Sequence, residues 1–151
     1  MRERFTEAVK EAMKAGDKAR VSALRLVQAA IKDKDIELRG QGKGPASDEE
    51  VLALLQKMVK QRQESIGLYE GAGREDLAAG ERAEVAVIQG FLPRQMDEAE
   101  MRQAVEKAIA ETGATSLRDM GKVVGALRAA YAGRMDFGRA SALVKEALPK
   151  G

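Results

Sequence analysis

The chain has 151 residues, 44% of them hydrophobic and 33% charged, with a net charge of +2. It holds no histidine, cysteine or tryptophan. That excludes disulfides, thiolate nucleophiles, imidazole proton shuttles and the sulfur or imidazole ligands of a zinc site. The apolar content is too high for a disordered chain, and no apolar run reaches the length that spans a bilayer.

Nearly the whole chain reads as helix. Phe5, Ala8, Val9, Ala12 and Met13 recur at helical spacing and predict a first helix with one buried face. Gly16 predicts its end, and Asp17 a cap for a second helix from about Lys18 to Arg39. At 1.5 Å per residue that helix is about 33 Å long. Val21, Leu24, Val27, Ile31 and Leu38 mark its inner face, and Lys18, Arg25, Lys32 and Arg39 form a basic stripe at every seventh residue. The run from Gly40 to Pro45 is a loop by its chemistry. Ser47 with Glu50 makes a capping box for a third helix, with Val51, Leu54, Leu55, Met58, Ile66 and Tyr69 inward. Gly71-Ala-Gly73 breaks it. A fourth helix from about Arg74 to Phe91 turns Leu77, Val85, Ile88 and Leu92 inward and stops at Pro93, which lacks the N–H to continue the ladder.

Pro93 is the predicted domain boundary, giving residues 1–93 as an N-terminal bundle of about four helices and 94–151 as a smaller three-helix domain, all-α throughout. Asp97 with Glu100 caps a fifth helix, with Met101, Val105 and Ile109 inward and Thr112-Gly113 as its end. Ser116-Leu-Arg-Asp119 opens a sixth, with Met120, Val123, Val124, Leu127 and Tyr131 buried. Asp136 caps a seventh carrying Leu143, Val144 and Leu148, ended by Pro149.

Charge is unevenly spread. Residues 1–92 are neutral overall, whereas from Ala114 onward seven basic residues (Arg118, Lys122, Arg128, Arg134, Arg139, Lys145, Lys150) face three acids. A basic tail on a neutral body attracts polyanions, although solvated helix faces also carry charge. The sixth helix adds a second feature: Gly121, Gly125 and Ala129 line up at spacing four, flanked by Arg118 and Lys122. Each interior glycine costs about 1 kcal/mol relative to alanine. Two uses offset that cost: tight packing on a neighbouring helix within the domain, or close approach of an outside backbone such as a phosphodiester. Lys57, Lys60 and Gln61 give the third helix a polar face of similar kind, readable as solvated surface. The five aromatics, Phe5, Tyr69, Phe91, Tyr131 and Phe137, fall mostly on inward faces, which argues against a base-stacking platform.

Catalytic patterns are missing. A di-iron or di-manganese bundle needs Glu-x-x-His, and there is no histidine. Gly121-Lys122 is not a phosphate loop, because Ser116 and Val123 stand where that motif requires glycine and Ser or Thr. The glutamates sit at caps and on polar faces. No catalytic residue, metal ligand or cofactor is assigned from the sequence.

Five stretches resemble the YqeY family, also called the GatB/YqeY domain: Ala30-Ile-Lys-Asp-Lys-Asp-Ile-Glu37, Lys60-Gln-Arg-Gln-Glu-Ser65, Gly73-Arg-Glu-Asp-Leu77, Phe91-Leu-Pro-Arg-Gln95 and Asp119-Met-Gly-Lys-Val-Val-Gly125. Gly133-Arg-Met-Asp-Phe-Gly138 is a looser match. The resemblance implies an N-terminal helical bundle and a smaller C-terminal helical domain. It also implies kinship with the tail of the B subunit of glutamine-dependent tRNA amidotransferases, which contacts tRNA while catalysis occurs elsewhere. A similar arrangement is attached to some glutaminyl-tRNA synthetases. The label of carbon–nitrogen ligase with glutamine as amido-N-donor travels with that resemblance.

The expected function is a free-standing tRNA-associated helical module without its own active site. It would touch the phosphate backbone through Arg118, Lys122, Arg134, Arg139 and Lys145, with Gly121 and Gly125 allowing close approach. The alternative is a protein-interaction module that docks on a tRNA-charging enzyme or an amidotransferase. An amidotransferase in its own right is the third reading. No membrane association is expected. The N-terminus lacks a secretory apolar region and the chain lacks cysteine, so the expected location is cytoplasmic.

Overall fold

A computed structural model describes residues 1–149; Lys150, counted above in the basic tail, and Gly151 lie outside the described residues. Among the described residues there are seven α-helices and one 3-10 turn, with no strand. They are α1 (Arg2–Lys14), α2 (Lys18–Gly40), α3 (Asp48–Gly71), α4 (Glu75–Gln89), α5 (Glu98–Thr112), the 3-10 turn Leu117–Asp119, α6 (Met120–Tyr131) and α7 (Phe137–Ala147). The chain divides into two compact units, Met1–Leu92 and Pro93–Gly151. No described helix is long and apolar enough to cross a membrane.

In the first unit α2 and α3 begin where short polar side chains satisfy free N–H groups. Asp17 accepts from the Arg20 N–H at 3.1 Å. Ser47 and Glu50 close a reciprocal capping box, and Asp48, Glu49 and Glu50 place negative charge at the positive end of α3. Phe5, Leu24, Val27, Val51, Leu55 and Ile88 fill the core. Phe5 stacks on Phe91 with ring centroids 4.3 Å apart, and Arg4 lies over the same Phe91 ring. Two polar pins hold the helices in register. The Arg2 guanidinium forks onto Asp35 at 2.7 and 2.8 Å and also donates to the Ala46 carbonyl, while the Ala46 N–H donates to Asp35 at 2.8 Å. This ties α1, α2 and the loop before α3 together. The Arg2 hydrogen bond, then the Ala46 N–H, lowers the Asp35 pKa to about 2. Between α3 and α4, Arg62 meets Glu84 at 2.8 Å, and Arg82 bridges Glu70 and Glu75.

Two expected inward residues face outward. Met13 is exposed, resting against the Arg25 guanidinium, because it lies about 80° round the helix from Phe5, past the edge of the buried arc. Leu77 is exposed too; its neighbour Ala78, about 100° further round the helix, is fully buried instead.

The second unit is a three-helix bundle around Met101, Val105, Val123, Leu127, Leu143 and Val144. Asp97 and Glu100 form the capping box of α5, and Gly113 ends it at φ +69°, a conformation that disfavours any side chain. Ser116 caps the 3-10 turn and not α6 itself, which starts at Met120. Asp136 accepts from the Gly138 and Arg139 N–H groups at the start of α7. Met135, between α6 and α7, is fully buried.

Candidate nucleic-acid interface

The apolar arc of α6 buries Val123 and Leu127 and half-buries Met120, Val124 and Tyr131. A helix that spends one side on the core must show the other to solvent, and that side carries Gly121, Lys122, Gly125, Arg128 and Ala129, all exposed. A Cβ built on Gly121 or Gly125 would meet no atom within 4 Å. Tight helix packing inside the domain therefore does not explain these glycines. Gly67 in α3 and Gly80 in α4 are equally open, but their helical neighbours Glu64, Glu70, Asp76 and Glu84 are acidic. On α6 two glycines four apart lie between cations.

The approach to α6 is held by a network around Asp119. Its carboxylate accepts from the Thr115 N–H at 2.9 Å and from the Thr115 hydroxyl. The Thr115 N–H, then the backbone N–H of Ser116 and the charge of Lys122, hold the Asp119 pKa below its ordinary value. The Leu117 N–H donates to the Pro149 carbonyl at 3.1 Å, so the 3-10 turn lies beside the end of α7.

The five sequence-predicted cations fall into two groups. Arg118, Lys122 and Lys145 are exposed and form no ion pair among the described residues. They lie toward the end of the bundle where the 3-10 turn meets the last turn of α7. Arg134 and Arg139 lie at the other end, one α6 length away, about 18 Å. Both are engaged. Arg134 donates to the Arg94 carbonyl at 3.2 Å and lies over the Tyr131 ring, while its own carbonyl accepts from the Met96 N–H at 2.8 Å. Arg139 pairs with Glu98; that hydrogen bond and its charge raise the Arg139 pKa and lower that of Glu98. Arg128, which sequence reasoning left outside the site, is exposed over the Phe137 ring at 4.8 Å. Its spacing of three from Gly125 was the available signal.

No constellation for bond-making accompanies this surface. Among the described residues no group of three or more acids lies close enough to hold a metal ion. Every carboxylate with a shifted pKa is shifted down, including Asp35, Glu98, Glu100 and Asp119, so these groups stay ionised and are poor proton donors near neutral pH. The recesses of the first unit, such as the one of about 420 Å³ lined by Glu3, Arg4, Glu7 and Phe91, mix acids with arginines around no nucleophile.

The profile of the family described as "Yqey-like protein" matches residues 2–148. The chain belongs to the YqeY family. Relatives carry the name "Altered inheritance of mitochondria protein 41, mitochondrial". The one from Pyrenophora tritici-repentis is 30% identical over 134 residues, 87% of this chain and 71% of that protein. The one from Saccharomyces cerevisiae is 32% identical over 84 residues, and the one from Eremothecium gossypii 33% over 84. In each of these two, the match covers 56% of this chain and 44% of the relative. The name mentions neither RNA nor amide transfer. It does correct one expectation: the relatives of this YqeY chain are named as mitochondrial, which overturns the cytoplasmic location inferred above. The inference failed because a cysteine-free chain is indifferent to the redox state of its compartment.

Proposed function

We propose that this YqeY chain is a binding module that holds RNA by its phosphate backbone and has no active site of its own. The observation that carries this reading is the exposed side of α6, where Gly121 and Gly125 leave the helix backbone bare beside the exposed cations Arg118, Lys122 and Arg128. Cations without acid partners are free to replace the counterions of a polyanion, and an uncovered backbone lets a phosphodiester come close. Lys145 extends the positive surface from α7, and Arg128 joins it from α6. Arg134 and Arg139 contribute only by exchanging their present partners. The choice of tRNA as the RNA, and of an amidotransferase or tRNA-charging enzyme as the place of action, follows the resemblance to the tail of amidotransferase B subunits. Chemistry would then belong to that enzyme.

The test is binding of labelled tRNA over a salt series. The contacts of this α6 surface, with about three phosphates, account for a slope between about −2 and −3 in the fall of log K against log salt. In the Arg118→Gln, Lys122→Gln protein the slope flattens by about 2 with no change in sequence preference. Absence of binding at low salt overturns the proposal.

A protein partner is the second reading. It is favoured by Leu68 and Leu77, 75% and 39% exposed beside the turn that joins α3 to α4. Retention of a partner after nuclease treatment, lost in a Leu68→Ser variant, distinguishes it from the RNA reading.

A further inference from the structure

The outer side of α2 carries Lys18, Ser22, Arg25, Ala29, Lys32, Ile36 and Arg39, alternating at spacings of four and three, and every one of them is exposed. Lys18, Lys32 and Arg39 form no ion pair among the described residues, and Arg25 touches only the Met13 sulfur, at 3.8 Å. The acids of the same helix are placed elsewhere. Asp35 is held by Arg2 and the Ala46 N–H, and Arg39 acts on it only through space. Glu37 pairs with Lys34 at 3.6 Å. Asp33 is exposed, about 60° round the helix from Lys18. Seven residues set neighbouring cations about 10.5 Å apart, and the outer two about 31 Å apart.

We propose that this face of α2 is a second track for an RNA phosphate backbone, held by Lys18, Arg25, Lys32 and Arg39. This rests on the RNA reading given for α6 but concerns a different surface on the other unit. A repeating row of cations over 31 Å complements a ligand whose negative charge also repeats, which a phosphodiester backbone does and a compact acidic patch does not. A partner helix fits less well. Docking one here would bury the whole cationic row, and desolvating four charges in a helix seam is unfavourable where Ala29, Ile36 and the Met13 beside Arg25 are the apolar contacts the row offers. A lipid surface fits less well too, because a helix that lies on a membrane needs an apolar face to insert, and the apolar face of α2 is already in the core. A phosphate backbone leaves the lysine and arginine heads hydrated and takes them as they stand.

The experiment uses the full chain and a labelled RNA hairpin, with anisotropy read from about 50 to about 200 mM salt. Four proteins are compared: the parent, the quadruple variant Lys18→Gln, Arg25→Gln, Lys32→Gln, Arg39→Gln, the Arg118→Gln, Lys122→Gln variant, and a control that loses four cations elsewhere (Lys10, Arg74, Arg102 and Lys107, each to Gln). Because the α2 cations are exposed and unpaired, circular dichroism should show an unchanged helical fold, and single variants serve if the quadruple one is unstable. The expected result is a slope flattened by about 3.6 in the quadruple variant, about 0.9 for each single one, with affinity at the lowest salt down at least about tenfold. A quadruple variant that binds like the parent overturns this inference while the α6 reading stands. An equal loss in the control also overturns it, since net charge alone would then explain the effect. A parent that binds no RNA removes both readings. Binding of phosphatidylserine vesicles, lost in the same variant and without RNA binding, assigns the face to a membrane and overturns the proposal.

Discussion

α2 and α6 both show exposed cations without ion-pair partners, but on helices of opposite make. α2 has 23 residues, and its interior up to the terminal Gly40 contains no glycine. Between its cations stand Ser22, Ala29 and Ile36, so the charged row lies on a helix that local propensity supports. α6 has 12 residues, and two of them are exposed glycines where an added Cβ would meet no atom within 4 Å. The short helix gives up local stability to leave its backbone uncovered, and the long one does not. The contrast separates two ways of presenting charge: reach along a stiff rod, and close approach to a bare surface.

The largest effects come from the buried sides, where the two helices should behave alike. Leu24 and Leu127 are 0% and 1% exposed, and truncating either to alanine should cost about 2–5 kcal/mol, measured by urea unfolding. A markedly smaller loss for Leu127 would mean that α6 is not anchored as the bundle requires. Next comes an acid sensitivity on the α2 side. The Asp35 pKa is lowered from 3.8 to about 2, so the folded state binds fewer protons than the unfolded chain in that range. The contribution is fully present above pH 3.8 and is lost as pH falls toward about 2. In Asp35→Asn stability should be lower at neutral pH and should lose this part of its pH dependence; an unchanged acid profile would show that the Arg2–Asp35 fork is not maintained in solution. The smallest effects address the glycine contrast directly. Gly125→Ala in α6 should stabilise by about 1 kcal/mol, and Ala29→Gly in α2 should destabilise by about as much. Gly121→Ala gives less, because the residue sits in the first turn.

Much of this architecture was legible in the chain because local chemistry decides it. Ser47 with Glu50 and Asp97 with Glu100 announce two helix starts, Gly113 announces an end, and the apolar spacing of Val123 and Leu127 marks the inner side of α6. Arg118 and Lys122 were legible as exposed cations for the same reason, since the apolar arc fixes the opposite side. What the sequence hid depends on partners distant in the chain. Arg139 pairs with Glu98 across 41 positions and Arg134 reaches the Arg94 carbonyl across 40, so nothing local shows that these arginines are occupied. The Arg2–Asp35 fork spans 33 positions. Met13 and Leu77 were misread at the edges of their buried arcs, where the position of the neighbouring helix decides exposure and the periodicity does not.

One substitution tests the central claim about α6 most directly. Position 125 is exposed, a Cβ there would meet no atom within 4 Å, and leucine has a better helix propensity than glycine, so Gly125→Leu should leave the melting temperature unchanged or raise it. If a phosphate backbone approaches the bare helix there, the same variant should bind tRNA at least about tenfold more weakly at a salt concentration where the parent binds. Unchanged tRNA affinity in a fully folded Gly125→Leu protein would contradict the account.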